Sequence, residues 1–250
     1  MTDDATGGPS DYVREEPLPA RIPIFPLDGV LMLPDAKLPL NIFEPRYLDM
    51  VRDAMAGDRI IGMIQPLPTS SSVSSSSASL GSPSISGGGG QPPVYGIGGA
   101  GRITAFEETK DNRFEITLTG LSRFAIIEEL SVTTHYRQVM ADWDRFAGDR
   151  WAEDDVAGID RNRLLTALRA YLELARIPAE WDTIAKAETS ALITSLSMIC
   201  PFGPSEKQAL LEAQDLYERS RIMTALVEMS LLHRASGGGD EQDDDDHKIH

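Results

Sequence analysis

Near residue 150 the spacing of apolar residues along this chain changes and stays changed, and that shift restricts the fold more than any other feature. Before it, apolar residues come in short runs bounded by Pro, Gly and Asn; after it, they recur every third or fourth position. Strands first and helices afterwards argue against alternating βαβ units. They point to an α+β fold, β-rich to about residue 145 and helical over about 155–235. Strands are expected at 21–25, 29–33, 59–65, 94–106, 113–119, 123–130 and 135–143, with turns at Asp111-Asn112 and at Gly120. Pro23, Pro26, Pro34 and Pro39 make the first strands short, bulged or edge-like, because proline donates no ladder hydrogen bond.

One helix interrupts the strands at 44–56, where Tyr47, Leu48, Val51, Ala54 and Met55 share a face and Gly57 is the stop. In the helical part, Leu164, Leu165, Leu168, Tyr171, Leu172 and Ala175 form one stripe, ended by Pro178. Ile184, Ala191, Leu192, Leu196 and Ile199 form a second, ended by Pro201. Ser205 and Gln208 have capping-box spacing, and the pattern then runs to about His233 as one helix, or as two bent near 218–220.

Charge divides the 250 residues further. The chain has 39 acidic and 23 basic side chains, a net charge of −16. More than half of that excess lies in two polar ends, so 1–19 and 236–250 are expected to be disordered. The Ser/Gly-rich stretch 69–90 cannot offset its own ordering entropy and reads as a disordered surface loop inside a strand-rich subdomain, 20–150. A helical subdomain, 151–235, follows. The acidic balance argues against a nucleic-acid partner, whose phosphates require clustered Lys and Arg. No run approaches the ~18–20 apolar residues of a membrane span, and the acidic N-terminus is unlike a secretory signal. With a single cysteine, Cys200, the expectation is a cytoplasmic protein in a reducing compartment, without a membrane partner.

Catalytic chemistry is hard to place. Gly96-Ile-Gly98-Gly-Ala-Gly101 matches a dinucleotide fingerprint, but strand rather than helix follows it, so the glycines read as bulge or close-approach positions in a curved strand. His135, His233, His247 and His250 lack ligand-spaced partners. Cys200 lies on an apolar stripe and reads as a small buried hydrophobe. No catalytic residue, metal site or cofactor is therefore expected, and the chain reads as a binding module.

Several motifs carry a resemblance. Ile22-Pro-Ile-Phe-Pro-Leu27, Leu33-Pro34, Leu38-Pro-Leu40, Ile42-Phe-Glu-Pro-Arg-Tyr47, Gly120-Leu-Ser-Arg-Phe124 and Glu206-Lys-Gln-Ala-Leu-Leu-Glu212 with Arg219 resemble the N-terminal substrate-binding domain of Lon proteases. The similarity is strongest to stand-alone bacterial proteins carrying that domain without an ATPase or protease. It implies a PUA-like β pseudo-barrel followed by an α-helical bundle, which gathers unfolded or extended polypeptides as an adaptor or holdase for a protease or chaperone. Glu44, Pro45, Arg46, Gly120, Arg123 and Phe124 then read as fold-maintaining motif residues. Met32, Phe43, Tyr47 and Met63 are the candidate polypeptide-binding side chains, methionine being suited to repacking around varied partners. The competing readings are an ATP-independent peptidase using Cys200, an RNA binder, and a scaffold for one fixed partner.

Overall fold

The computed structural model describes residues 17–68, 84–85, 92–151, 155–174 and 176–235. The expectations for 1–16, for 236–250 and for most of 69–90 lie outside these residues. Among them, six strands form one mixed sheet: β1 (Arg21–Pro26), β2 (Lys37–Ile42), β3 (Ile60–Ile64), β6 (Ile97–Glu108), β7 (Phe114–Glu129) and β8 (Arg137–Asp142). Two-residue strands β4 (Ser84–Ile85) and β5 (Val94–Tyr95) pair separately, so part of the stretch expected to be disordered joins a ladder. The sheet order is β2-β7-β6-β3-β1-β8, and β7 also pairs with β8. The pairings β7-β6-β3-β1-β8-β7 thus close a ring, leaving β2 beside the first half of β7.

Two expectations about this sheet are corrected. Gly120 is no turn: β7 runs through it for 16 residues, and Gly120 pairs with Gly101 where the β6 register shifts. Residues 29–33 are not a strand. They cross the sheet, and the strand forms instead at β2, despite Pro39. Its position explains how. The Gly120 amide donates to the Ala36 carbonyl at 2.8 Å. Strand alternation then turns the backbone of Leu38, Leu40 and Ile42 toward β7 and that of Lys37, Pro39 and Asn41 outward. The missing proline donor therefore falls on the open edge, where no ladder needs it.

The crossing segment explains the glycines read as close-approach positions. A Cβ on Gly99 would run into the Met32 carbonyl oxygen, and one on Gly120 into the Leu33 carbonyl oxygen. With both surfaces bare, the crossing segment lies directly on the sheet. Its side chains divide: Met32 enters the core shared by the strands and the first helix, whereas Leu31 and Leu33 enter the core shared with the later helices.

The helices are α1 (Pro45–Ala56), α2 (Gly148–Trp151), α3 (Arg161–Leu174), α4 (Trp181–Lys186), α5 (Thr189–Ile199), α6 (Pro204–Glu212) and α7 (Leu216–Ala235). The last pattern is two helices, but the break falls at 213–215, before the expected bend. Asp215 Oδ1 accepts the Glu218 amide and Glu218 accepts the Gln214 amide, at 2.7 and 2.6 Å, which restarts the chain as α7. The expected Ser205 cap is also displaced. Pro204 suits the first helical position, so α6 begins there, and the Glu206 carboxylate accepts the Gly203 amide at 2.7 Å. Gln208 instead reaches out of the helix to the Ile97 carbonyl on β6 at 3.1 Å.

Gly99→Ala tests the crossing. It forces the Met32 backbone off the sheet and should cost at least about 3 kcal/mol, roughly 6–12 °C in Tm by circular dichroism. An unchanged Tm would place the segment elsewhere.

Candidate functional site

Between the crossing segment and β2 on one side and α5 on the other lies a cleft of about 1640 Å³. Small-molecule pockets run to about 1,000 Å³, so this space suits a length of chain better than a metabolite. Val30, Leu38, Pro39 and Met198 contribute apolar surface, and Val156, Ile199 and Tyr217 are large hydrophobic side chains exposed to solvent there. Ile199, read from its spacing as a core residue, is 78% exposed. The α5 core face is Leu192, Ile193 and Ser197, and Ile199 falls outside that stripe.

The cleft's inner end is built on Arg123. This side chain is buried, yet every arm is occupied. Its Nε and its own backbone amide donate to Asp149 Oδ2, both at 2.9 Å, and Nη2 donates to Asp149 Oδ1 at 2.7 Å. Nη1 donates to the Leu211 carbonyl at 2.9 Å and also to the Ala213 carbonyl. Its guanidinium stacks on Phe146, 4.5 Å from the ring centre. Strand β7, helix α2 and the end of α6 are thereby tied through one residue. Two glutamines tie the other side of the joint, Gln65 Nε2 donating to the Pro204 carbonyl at 3.1 Å, while Gln208 bonds β6.

The four candidate binding residues divide sharply. Met32 and Met63 are each 1% exposed and pack in one core with Tyr47, whose ring lies 4.1 Å from that of Phe25. Burial also raises the Tyr47 phenol above its ordinary pKa. Phe43 alone is open, at 61%. It precedes α1 rather than sharing a helical face with Tyr47, and Arg113 lies 5.7 Å over its ring. None of the four lines the cleft. The motif residues have structural partners: Glu44 accepts from Arg46 at the start of α1, with Pro45 in the first turn. Phe124 is fully buried and fills the space above Gly62 and Gly98, where a Cβ would stand 2.8 and 2.6 Å from its ring. Cys200 is buried, as its stripe implied, and burial pushes its thiol up to about 11, against the opposing pull of Lys207. The buried charged groups therefore hold the scaffold together, and three open apolar groups, Val156, Ile199 and Tyr217, line the cleft.

Residues 21–228 match the family model of the ATP-dependent protease La (LON) substrate-binding domain. The chain belongs to this family. Relatives include Lon protease 2 of Myxococcus xanthus, 24% identical over 225 residues that are 88% of this chain and 25% of the relative. The Lon protease of Flavobacterium johnsoniae is 24% identical over 212 residues, 84% of this chain and 24% of the relative. The chain thus spans about a quarter of the length of these curated relatives. Two solved structures share the fold. The Lon N-terminal domain protein from Xanthomonas campestris superposes with a TM-score of 0.53 at 21% identity, covering 82% of this chain and 97% of that one. The N-terminal domain of Mycobacterium avium complex Lon protease gives 0.54 at 14%, covering 83% and 98%. Gly120, Arg123 and Phe124, quoted above for the Lon resemblance, are the residues that set β7 against its neighbours.

Two measurements test this arrangement. Asp149→Ala leaves Arg123 buried without its counter-charge and should cost about 3–5 kcal/mol, a Tm fall of roughly 6–20 °C. Hydrogen exchange should show α6 losing protection first; unchanged stability would remove Arg123 from its central place. Cys200, with a raised pKa, should alkylate slowly with iodoacetamide at pH 8 and rapidly once unfolded. Fast labelling of the folded chain would contradict its burial.

Proposed function

We propose that this chain binds unfolded or extended polypeptide segments in the cleft between β2 and α5, without catalysis of its own, as an adaptor or holdase for a protease or chaperone. The observation that carries this reading is a chain-sized cleft with open apolar side chains, bordered by a strand edge whose outward backbone groups have no ladder partner among the described residues. Such an edge can hold an extended segment through the Lys37 amide and the Lys37 and Pro39 carbonyls, Pro39 having no donor to offer, while Leu38, Val156, Ile199 and Tyr217 receive its apolar side chains. Membership in a family named for substrate binding supports it, as do relatives named as proteases. In this reading the closed ring of strands is a PUA-like pseudo-barrel, 20–150, and the later helices are a bundle, 151–235, working in the cytoplasm. Among the described residues no helix is long and apolar enough to cross a membrane.

This reading moves the binding surface away from Met32, Tyr47 and Met63, whose side chains would have to leave the core to touch a client. Phe43 remains available, exposed just before α1. Fluorescence anisotropy with a labelled, permanently unfolded model protein separates the two surfaces. Ile199→Glu should weaken binding by about tenfold or more while leaving Tm unchanged, because the side chain is already open. Phe43→Glu should change affinity by less than about twofold. The reverse pattern would move the site to the start of α1, and no binding by the parent chain at tens of micromolar would sink the proposal.

A further inference from the structure

The cleft carries a second kind of information, in its charges. Its solvent-open lining includes four carboxylates, Asp35, Asp155, Glu188 and Asp215, against two cations, Lys37 and Arg145. Asp155 and Asp215 also accept backbone amides, from Ala157 at 2.8 Å and Glu218 at 2.7 Å, which fixes where their charge stands. Glu188 precedes α5 without a side-chain capping bond. The two other arginines of the lining, Arg123 and Arg219, are buried and donate to carbonyls at the end of α6, so they present little charge to an incoming chain.

From this we infer that the cleft selects extended segments in which lysine or arginine alternates with apolar residues. The inference rests on the polypeptide-binding reading and adds a client chemistry to it. The apolar walls receive alternate side chains of an extended segment, and the residues between them project toward the carboxylates at the rim. A concave surface of one sign concentrates its field, attracting cationic segments and repelling acidic ones. The same argument disfavours a second copy of this chain, with its net charge of −16, and the acidic run Asp243–Asp246.

Three labelled peptides of one apolar framework, with Lys, Gln or Glu at the alternate positions, decide the matter by anisotropy against the full chain. The Lys peptide should bind at least about fivefold more tightly than the Glu peptide at low salt, since exposed pairs each contribute up to roughly a fivefold effect. That preference should shrink at 0.5 M salt, where screening acts over only a few Å. Glu188→Lys should narrow it, by weakening the Lys peptide and strengthening the Glu peptide. Equal binding of all three peptides would overturn the charge inference and leave polypeptide binding standing; binding of none would overturn both. Concentration-dependent dimerisation lost in Ile199→Glu would place a second copy in the cleft and overturn the inference as well.

Discussion

Short helices leave carbonyl groups unpaired at their C-terminal ends, and in this fold those ends are met by cations supplied from elsewhere in the chain. Arg161 donates to the carbonyls of Ile184, Ala185 and Ala187 at the end of α4. The Lys207 ammonium donates to those of Ser197 and Met198 near the end of α5, and its burial lowers its pKa. Arg219 takes Leu210, and Arg123 takes Leu211 and Ala213, at the end of α6. Of these four cations, Arg123 is the one that reaches from the sheet. Arg123 therefore adds a directional tie between helices and strands to the apolar packing of Leu31 and Leu33.

The second constraint is steric. Crossing a sheet with irregular backbone requires bare surface beneath the chain, and Gly99 and Gly120 on adjacent strands supply it. Once Leu31–Leu33 lies flat, its alternate side chains must enter different cores, and the strand and helix parts cannot separate without breaking both. Rigidity of this kind matters to a binding surface. A cleft whose two walls are fixed by a packed segment and a buried ion pair stays open without a ligand, so less ordering cost falls on binding.

Much of this was legible in residues whose local rules agree. The change of period gave the α+β order, Gly57 ended α1, and the failed context of the Gly96–Gly101 pattern identified close approach rather than phosphate binding. What escaped was set by tertiary contact. Pro39 argued against a regular strand until its outward position on an edge was known. Gly120 has the composition of a turn, but β6 and β2 hold it extended. Asp215 and Glu218 were the local sign of a helix restart, three residues apart, and a closer reading of their spacing would have placed the break. The cleft was hidden for another reason. Ile199 keeps the spacing of Leu192 and Leu196, but the face of α5 that packing buries is Leu192, Ile193 and Ser197, which no local pattern encodes. Methionine and tyrosine in the motif region read as adaptable surface, yet α1 and the sheet enclose them.

The same capping chemistry accounts for the sign of the cleft. Of the basic residues in the helical part, Arg161, Lys207 and Arg219 turn toward backbone carbonyls, and β7 contributes Arg123 for the same purpose. Cations used in this way neutralise partial charges inside the protein and are unavailable to its surface. Carboxylates are used internally too, Asp149 against Arg123, Glu129 against Arg137 and Asp53 as acceptor for the Tyr136 hydroxyl, but Asp155, Glu188 and Asp215 stand exposed at the cleft. Acidic residues at helix starts and turns, such as Glu188 and Asp215, are consequently left on the rim with few cations beside them. The architecture that fixes the two walls of the cleft thus also leaves its mouth acidic, so stability and client preference follow from one distribution of charge.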